Sequence, residues 1–405
     1  MQLIQESARL QAVEYAIRGP VAQEAQRLEA QGTPVMHLNI GDPAAFGLNG
    51  PAALVEAVVQ RLQTSQGYSA ARGMSEAVEA VMQRFRAHGV DAFDSESVFI
   101  GNGASELIIM ATQGLLNAGD EVLIPAPDYP LWTAAVAFAG GRVVHYVKDE
   151  ASGWLPDLEA MRRQITPRTR AIVVINPNNP TGAVYPKEVL EAIVSLARQH
   201  DLLLFADEVY DEILYDGTRH IALAALAGDL PCVTFNSLSK SRRLAGLRGG
   251  WMVVSGDQKL TTGYRAGLLL QSSMRLCSNI TAQHAVAIAL SSEKNDIHDL
   301  VSPGGRLKEQ RDKAWELLNA IPGVSCVQAQ GGLYLFPRLD PQMYPVSDDE
   351  QLALELLREE QVLLVHGSGF HWPGNDHFRM VTLPPVEMLE EAIGRLERFL
   401  SRRRK

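Results

Sequence analysis

Between about residues 50 and 255, short apolar segments alternate with amphipathic ones. Apolar residues run continuously through the short segments, which is typical of strands buried on both faces. Stretches with helical periodicity, such as 105–116 and 187–200, lie between them. This alternation predicts an α/β domain with a mainly parallel, seven-stranded sheet flanked by helices. The predicted strands are 98–100, 121–124, 143–147, 171–175, 202–205, 233–235 and 251–254.

The C-terminal part has a different pattern and predicts a second, smaller α/β domain. A long charged helix is expected at 305–320, with further helices at 349–360 and 386–400. The apolar segments between them predict short strands at 324–327, 332–336, 362–365 and 378–382. Because 405 residues exceed the size at which one hydrophobic core stops growing, two domains are expected. We place an N-terminal arm and part of the small domain at 1–45, the large domain at 46–295 and the small domain at 296–405.

The composition narrows the class of protein. With 46% hydrophobic and 21% charged residues, it is ordinary for a soluble globular chain. The net charge of -10 argues against a nucleic-acid partner. Cys232, Cys277 and Cys326 are widely spaced, which predicts neither disulfides nor a metal site. We therefore expect a cytoplasmic protein, and no apolar run has the roughly 20 residues that a membrane span requires.

Lys240 is the first candidate for chemistry. It ends the sequence Ser237-Leu238-Ser239-Lys240, which follows a predicted strand, and Arg248 lies eight residues further on. A partly desolvated lysine near other cations is a nucleophile toward aldehydes, and hydroxyls with a guanidinium bind phosphate. These two features together indicate pyridoxal phosphate, although such a turn alone is more often a solvated loop.

Two loops carry further candidates. The segment 100–106 follows a strand and opens a helix, so the free N–H groups of Ala104 and Ser105 are placed to attract an anion. Ser105 is equally consistent with an ordinary helix cap. The rigid segment 176–182, which contains Asn179, follows a buried strand at the edge where open parallel sheets bind ligands.

Asp207 and Tyr210 end an apolar segment at 205–210. A carboxylate on the floor of a cleft keeps a pyridine nitrogen protonated, and Tyr210 is placed to donate to the ring oxygen. A helix cap is the alternative for Asp207. Arg379 lies inside an apolar strand of the small domain. Its planar guanidinium matches an α-carboxylate, and an internal salt bridge is the alternative.

In this chain order, and together with the segments 38–43 and 125–130, these motifs resemble those of the class I, fold-type I aminotransferases. The resemblance covers nearly the whole chain. It implies that Lys240 forms the Schiff base with pyridoxal 5'-phosphate, that Asp207 pairs with the pyridine nitrogen, and that Asn179 and Tyr210 donate to the ring oxygen. It further implies a stacking residue, Tyr129, and a substrate-carboxylate site formed by Gly41, Asn179 and Arg379. The implied phosphate ligands are Ala104, Ser105, Ser237, Ser239, Arg248 and, from the neighbouring subunit of a homodimer, Tyr68.

The segment 15–20 resembles the N-terminal arm of bacterial glutamate-pyruvate, or alanine, aminotransferases. In that branch Tyr15 and Arg18 would help to close the site over the substrate. From its composition alone, the segment is a polar helix end followed by a Gly-Pro stop. Arg18 is also the candidate for reading a side-chain carboxylate, and Arg242 and Arg243 are left without an assigned role.

The resemblance predicts ping-pong exchange of an amino group between L-alanine with pyruvate and L-glutamate with 2-oxoglutarate. Aminotransferases specific for aspartate, diaminopimelate or branched-chain substrates remain alternatives, as does a carbon–sulfur lyase. A pyridoxal-phosphate-sensing regulatory domain is a further alternative. Such regulators carry an N-terminal DNA-binding module, for which the first 45 residues are too few and insufficiently basic.

Overall fold

The computed structural model describes residues 3–11, 13, 19–291 and 296–405. Its α-helices, in chain order, are α1 (Ala8–Gln11), α2 (Pro20–Ala30), α3 (Ala52–Gln60), α4 (Ser75–Ala87), α5 (Ala104–Leu115), α6 (Leu131–Phe138), α7 (Leu158–Gln164), α8 (Lys187–Gln199), α9 (Leu223–Ala227), α10 (Gln258–Met274), α11 (Ile280–Ser291), α12 (Ile297–Val301), α13 (Arg306–Ala320), α14 (Asp349–Glu360) and α15 (Val386–Ser401).

The strands, in the same order, are β1 (Met36–His37), β2 (Val98–Asn102), β3 (Glu121–Ala126), β4 (Arg142–Asp149), β5 (Leu155–Pro156), β6 (Thr169–Ile175), β7 (Leu203–Asp207), β8 (Cys232–Ser237), β9 (Gly249–Ser255), β10 (Val324–Ser325), β11 (Tyr334–Leu335), β12 (Arg338–Leu339), β13 (Val362–Leu363), β14 (Val365–His366) and β15 (Phe378–Val381).

The large sheet contains all seven predicted strands and one more. Its order is β2-β9-β8-β7-β6-β3-β4-β5, and the neighbours from β8 to β4 run parallel. β9 and β5 are antiparallel to their neighbours. The predicted fold class is confirmed, but the count of seven strands is corrected to eight. The two-residue strand β5 is too short to leave a hydrophobic pattern, and only its pairing with β4 defines it.

Burial on both faces of the sheet explains why its strands are continuously apolar. Along β6, Val173 enters the hydrophobic core on one face while Ile172 and Val174 enter the core on the other. Successive side chains of a strand point to opposite faces, so both sets must be apolar when helices cover both sides. α8 shows the complementary helical pattern, since Leu190, Ile193, Val194 and Ala197 form its buried face.

The C-terminal part forms its own core around α13, α14 and α15. The antiparallel sheet β11-β15-β14 lies within it. The N-terminal segment packs here too, because β1 pairs with β13 and α2 contacts α14. We propose the domain boundaries 1–45, 46–295 and 296–405, and this pairing supports grouping residues before 46 with the small domain.

At one edge of the large sheet, the carboxyl ends of β6, β7 and β8 lie side by side. The start of α5 is beside them, because β2 leads into α5 and pairs with β9. This edge is where ligands bind in open parallel sheets. Within the part of the chain that the structure describes, every helix is too short or too polar to cross a membrane.

Candidate active site

A cavity of about 520 Å³ opens at this edge, between the large sheet and the small domain. Twelve of the residues predicted to form the site line it, although they come from segments throughout the chain. They are Gly41, Ala104, Ser105, Tyr129, Asn179, Asp207, Tyr210, Ser237, Ser239, Lys240, Arg248 and Arg379.

Lys240 lies in the turn after β8. Leu238 is fully buried and anchors this turn, and the Ser239 N–H donates to Ser237 Oγ at 3.2 Å. Lys240 Nζ donates to the carbonyl oxygen of Gly41 at 2.6 Å. A Cβ atom at Gly41 would lie 2.2 Å from the Tyr334 hydroxyl, so only glycine fits there. The half-buried amine is thus held at the cavity wall, where it can reach a small ligand.

Asp207 ends β7 on the floor of the cavity. Trp132 Nε1 donates to Asp207 Oδ2 at 2.9 Å, and the Val209 N–H approaches Oδ1 at 3.4 Å. Burial raises the pKa of Asp207 to about 6, although the hydrogen bonds from Trp132 and Val209 oppose this rise. A cation bound beside this carboxyl group would favour its ionised form.

The start of α5 and the turn around Arg248 also line the cavity. Gly103 has a φ of 86°, and a Cβ on it would lie 2.4 Å from Arg248 Nη2. A Cβ on Gly250 would lie 2.6 Å from the Ala104 nitrogen. Among the residues that the structure describes, no side chain forms a capping hydrogen bond at the start of α5. Uncapped helical N–H groups, a guanidinium and the hydroxyls of Ser105, Ser237 and Ser239 make a donor set that suits a phosphate.

Arg379 is buried in the small-domain wall of the cavity. Its Nη1 donates to Asn179 Oδ1 at 3.0 Å, and its Nη2 donates to the Asn39 carbonyl oxygen. Its guanidinium lies 4.4 Å from the ring centre of Tyr334 and 4.5 Å from that of Phe370. The two rings fix the plane of the guanidinium, as two-pronged binding of a carboxylate requires.

Tyr210 and Tyr334 share a hydrogen bond of 2.9 Å between their hydroxyl groups. Burial raises the pKa of Tyr210 well above its ordinary value. Burial also acts to raise the pKa of Tyr334, but the positive charges of Lys240 and Arg379 outweigh it, so this pKa is lowered. Tyr210 therefore keeps its hydroxyl proton at neutral pH, and its side chain lines the cavity.

The remaining described candidates lie outside the cavity wall. The side chain of Tyr68 is 81% exposed and does not line this chain's cavity. Arg242 is buried and forms an ion pair with Glu212, and Arg243 is paired with Asp296 at 2.5 Å. Both arginines are thus structural rather than part of the cavity wall. Tyr15 and Arg18 fall outside the described residues.

Sequence reasoning missed three aromatic residues of the site: Trp132, which contacts Asp207, and Tyr334 and Phe370, which contact Arg379. Trp132 and Tyr334 lie in apolar stretches typical of an ordinary core, and Phe370 lies in a segment rich in glycine and histidine that is typical of a loop. Since nothing in the local sequence distinguishes them, only the distance of each ring from its polar partner identifies them.

A mostly parallel α/β sheet that carries an amine, a buried carboxyl group and an anion cradle at its carboxyl edge defines a fold-type I, pyridoxal-phosphate-dependent enzyme. The model of the family "Aminotransferase class I and II" matches residues 33–396, and the chain belongs to this family. The predicted resemblance is thereby confirmed.

Relatives and solved structures agree with this assignment. The chain is 53% identical over 401 residues to glutamate-pyruvate aminotransferase AlaA of Escherichia coli (strain K12), with 99% of each chain covered. It is 54% identical to alanine aminotransferase of Mycobacterium tuberculosis (strain H37Rv), covering 98% of this chain and 92% of the relative. An Escherichia coli aminotransferase structure matches with a TM-score of 0.97 at 53% identity and 99% coverage of both chains. Alanine aminotransferase from Pyrococcus furiosus matches with a TM-score of 0.93 at 38% identity, covering 98% of this chain and 100% of the other.

Proposed function

We propose that this enzyme exchanges an amino group between L-alanine with pyruvate and L-glutamate with 2-oxoglutarate, by a ping-pong mechanism. The names of the relatives at 53% and 54% identity, a glutamate-pyruvate and an alanine aminotransferase, support this substrate pair. The observation that carries the proposal is the convergence of Lys240, Asp207 and Arg379 on one cavity. These residues supply the amine, the acid and the carboxylate receptor that transamination requires.

The donor set of the cavity fits pyridoxal phosphate. Lys240 Nζ would attach the cofactor through its aldehyde, and Asp207 would hold the proton on the pyridine nitrogen. Asn179 and Tyr210 would donate to the ring oxygen, and Tyr129 would pack against the ring. Ala104 and Ser105 at the start of α5, with Ser237, Ser239 and Arg248, would bind the phosphate.

When bound, the cofactor supplies an electron-withdrawing pyridinium ring that stabilises negative charge developing on the substrate α-carbon. Lys240 Nζ, on the cavity wall, would be the base that takes the substrate α-proton and holds it for return. A pyridinium nitrogen beside Asp207 would oppose the effect of burial on the pKa of Asp207 and favour its ionised form.

Arg379 orients the substrate by binding its α-carboxylate with two parallel hydrogen bonds. The hydrogen bond to Asn179 and the two flanking aromatic rings hold the guanidinium in place before the substrate arrives. Gly41 leaves room for the carboxylate, since any larger residue would displace Tyr334. Tyr15 and Arg18 lie outside the described residues, and on their motif alone we propose that they help to close the site and that Arg18 reads the second carboxylate of glutamate.

The enzyme acts as a homodimer in which Tyr68 of each subunit completes the phosphate site of the other. The exposure of Tyr68 supports this arrangement, as do the exposed apolar side chains of Val55, Val59 and Leu62 nearby in the chain. A cytoplasmic location fits the three free cysteines.

A half-reaction assay tests the proposed function. The purified pyridoxal form is mixed with single amino acids, and conversion to the pyridoxamine form is followed by absorbance. We expect L-alanine and L-glutamate to react fastest. Faster reaction with aspartate or branched-chain amino acids would replace the substrate assignment, and release of pyruvate and ammonia from cystathionine would indicate a lyase.

The Lys240→Ala variant tests the role of the amine. We expect loss of the covalently bound cofactor after borohydride reduction, measured by peptide mass, and a fall in turnover of about 10³-fold or more. Lys259→Ala is the matched control, because Lys259 is exposed on α10 and does not line the cavity. Normal turnover of Lys240→Ala would end the assignment.

A further inference from the structure

Asp128 and His371 join the two domains beside the cavity. Asp128 follows β3 in the large domain and is fully buried, and His371 follows β14 in the small domain. His371 Nδ1 donates to Asp128 Oδ1 at 2.7 Å. The Asp128 N–H donates to the Phe370 carbonyl oxygen at 3.0 Å. Two hydrogen bonds, one of them to a carboxylate, therefore link loops that are 243 residues apart in the chain.

One of these loops carries a residue that lines the cavity, and the other carries a residue that contacts a cavity-lining side chain. Tyr129, next to Asp128, lines the cavity. Phe370, next to His371, is fully buried and lies against the guanidinium of Arg379 at 4.5 Å. The link between Asp128 and His371 therefore connects Tyr129, which is proposed to stack on the cofactor, with Phe370. Phe370 in turn supports Arg379, which is proposed to bind the substrate carboxylate.

Neighbouring side chains fix the geometry of this pair. Thr133 Oγ1 donates to Asp128 Oδ2 at 2.7 Å, and His145 Nε2 lies 3.0 Å from the same hydroxyl oxygen. The imidazole of His145 stacks on that of His371, with ring centres 4.8 Å apart. A rigid, buried carboxylate of this kind holds its partner in one orientation.

The ligand atoms of Asp128, His145 and His371 lie within 4.8 Å of one another, close enough to surround a metal ion. Both carboxylate oxygens of Asp128 already accept hydrogen bonds, however, one from His371 and one from Thr133. The cluster is complete as a hydrogen-bonded network, so a linkage between domains accounts for it without an ion.

We propose that Asp128 and His371 are positioning residues that hold the Tyr129 and Phe370 loops together and thereby set the position of Arg379 for the substrate α-carboxylate. The proposal rests on the function proposed above. Loss of the pair should weaken the binding of every substrate that carries this carboxylate and leave cofactor binding nearly unchanged. A role in stability alone would change the thermal midpoint without raising KM.

The backbone conformation of His371 limits which residues can replace it without strain. Its φ is 58°, in the left-handed region that Asn and Gly tolerate. His371→Asn keeps a donor near the position of Nδ1, and His371→Gly removes it. Asp201→Gly is the control, since Asp201 also has a positive φ, of 53°, but is exposed after α8, far along the chain from these loops. Asp128→Ala removes the acceptor.

In steady-state assays of the holoenzyme, we expect His371→Gly and Asp128→Ala each to raise KM for both the amino acid and the 2-oxo acid by about tenfold, as loss of a hydrogen bond to a charged group predicts. The cofactor dissociation constant should change less than KM does, because Lys240 and the proposed phosphate ligands lie outside these two loops. His371→Asn should recover most of the affinity, and Asp201→Gly should match the wild type. The double variant should be no worse than either single one.

Unchanged KM in His371→Gly, additive effects in the double variant, or a loss of cofactor affinity as large as the rise in KM would each overturn the proposal. Dialysis of the wild type against EDTA should leave KM unchanged, and a rise that Zn²⁺ reverses would replace the hydrogen-bonded pair with a metal site. A wild-type enzyme inactive toward alanine and glutamate would instead refute the proposed function. That result depends on the wild type alone, so it is distinct from any result on the variants.

Discussion

The pKa of the buried residue Asp207 depends on its immediate neighbours. Burial favours the neutral acid and, even against the hydrogen bonds from Trp132 and Val209, raises the pKa of Asp207 to about 6, yet the residue must be ionised to pair with a pyridinium ring. Trp132 opposes the effect of burial through its hydrogen bond to Oδ2. The indole is itself held against Phe205 and Phe235, with ring centres 5.4 Å and 5.3 Å away. Aromatic packing in the core thus holds Trp132 in the position from which its hydrogen bond lowers the pKa of Asp207.

Replacing Trp132 by Phe should raise the pKa of Asp207 further, because the aromatic packing remains and a hydrogen bond to the carboxylate is lost. A larger fraction of Asp207 is then protonated at a given pH, so activity should be lost at higher pH than in the wild type. We expect the acidic limb of the kcat/KM profile to move up by about one pH unit, equivalent to roughly 1.4 kcal/mol.

Trp251→Phe is the control for this experiment. Trp251 is also buried, but its Nε1 has no hydrogen-bond partner among the residues that the structure describes. Its variant should keep the wild-type acidic limb even if stability falls. An unshifted limb in Trp132→Phe would show that the indole N–H does not influence the charge of Asp207.

At the scale of elements, the turn after β7 contains a buried ionic network behind the cavity. Asp211 and Glu212 pair with Arg84 of α4 at 2.6 Å and 3.1 Å, and Glu212 also pairs with Arg242. Glu208 is different, because within the described part of the chain its Oε1 accepts one hydrogen bond, from the Leu223 N–H at 2.9 Å, and lies 3.8 Å from His220 Nε2. Burial raises the pKa of Glu208 to about 8 and lowers that of His220 to about 4.

The raised pKa of Glu208 has a consequence for stability. The folded protein holds this proton up to about pH 8, whereas an unfolded glutamate loses it near pH 4.3. The folded state therefore binds the proton more tightly, and the stability that this provides is present at acidic pH and lost as the pH rises toward 8. Deprotonation leaves a buried negative charge at the end of a central strand.

Glu208→Gln should remove this loss, because glutamine keeps the shape and the acceptor but does not ionise. At about pH 5 we expect the variant and the wild type to have nearly the same thermal midpoint. At about pH 8 the midpoint of the variant should be higher, by roughly 2–4 °C for each kcal/mol of stability that it recovers. Thermal unfolding at the two pH values measures this difference. Glu188→Gln, on the exposed start of α8, is the control. An equal shift at both pH values would contradict the argument.

At the scale of the whole molecule, each active site requires two domains of one chain and, as proposed, a second chain. Lys240 and Arg379 line the same cavity of one chain, whereas Tyr68 is exposed and lies outside it. The exposed side chains of Val55 and Val59 are four residues apart on α3 and so share a helix face. We propose that a second copy packs on this apolar face, which is close to Tyr68 in the sequence.

Mixed dimers test this arrangement. Lys240→Ala and Tyr68→Ala subunits, each weakly active alone, should together form heterodimers in which one of the two sites is native. Statistical exchange between equal amounts then gives about a quarter of the wild-type activity, since half of the dimers are mixed. The assay follows activity after the subunits are dissociated and reassociated together.

The control mixture combines Lys240→Ala with Arg379→Ala. Because both residues serve the cavity of their own chain, no site in any of these dimers is complete, and activity should not return. Recovery in this control, or its absence in the first mixture, would show that Tyr68 does not complete the site of a second subunit.

The sequence by itself determined which segments form the large sheet and which motifs lie at its carboxyl edge. A strand covered on both faces must be continuously apolar, and that property is visible without any knowledge of the strand's partners. Lys240, Asp207 and Asn179 each follow such a strand, so their position at one edge could be predicted from local pattern and chain order. Strand β5 could not be predicted in this way, because two residues are too few to show a hydrophobic pattern.

Only the tertiary structure decided which side chains complete the site and how the domains meet. Trp132 lies 75 residues from Asp207, Tyr334 lies 124 from Tyr210, and His371 lies 243 from Asp128, yet each pair is hydrogen bonded. Such partners depend on how the crossover helices and the small domain pack on the sheet. A hydrogen bond forms only within about 3 Å, and the local sequence does not encode a distance between remote segments.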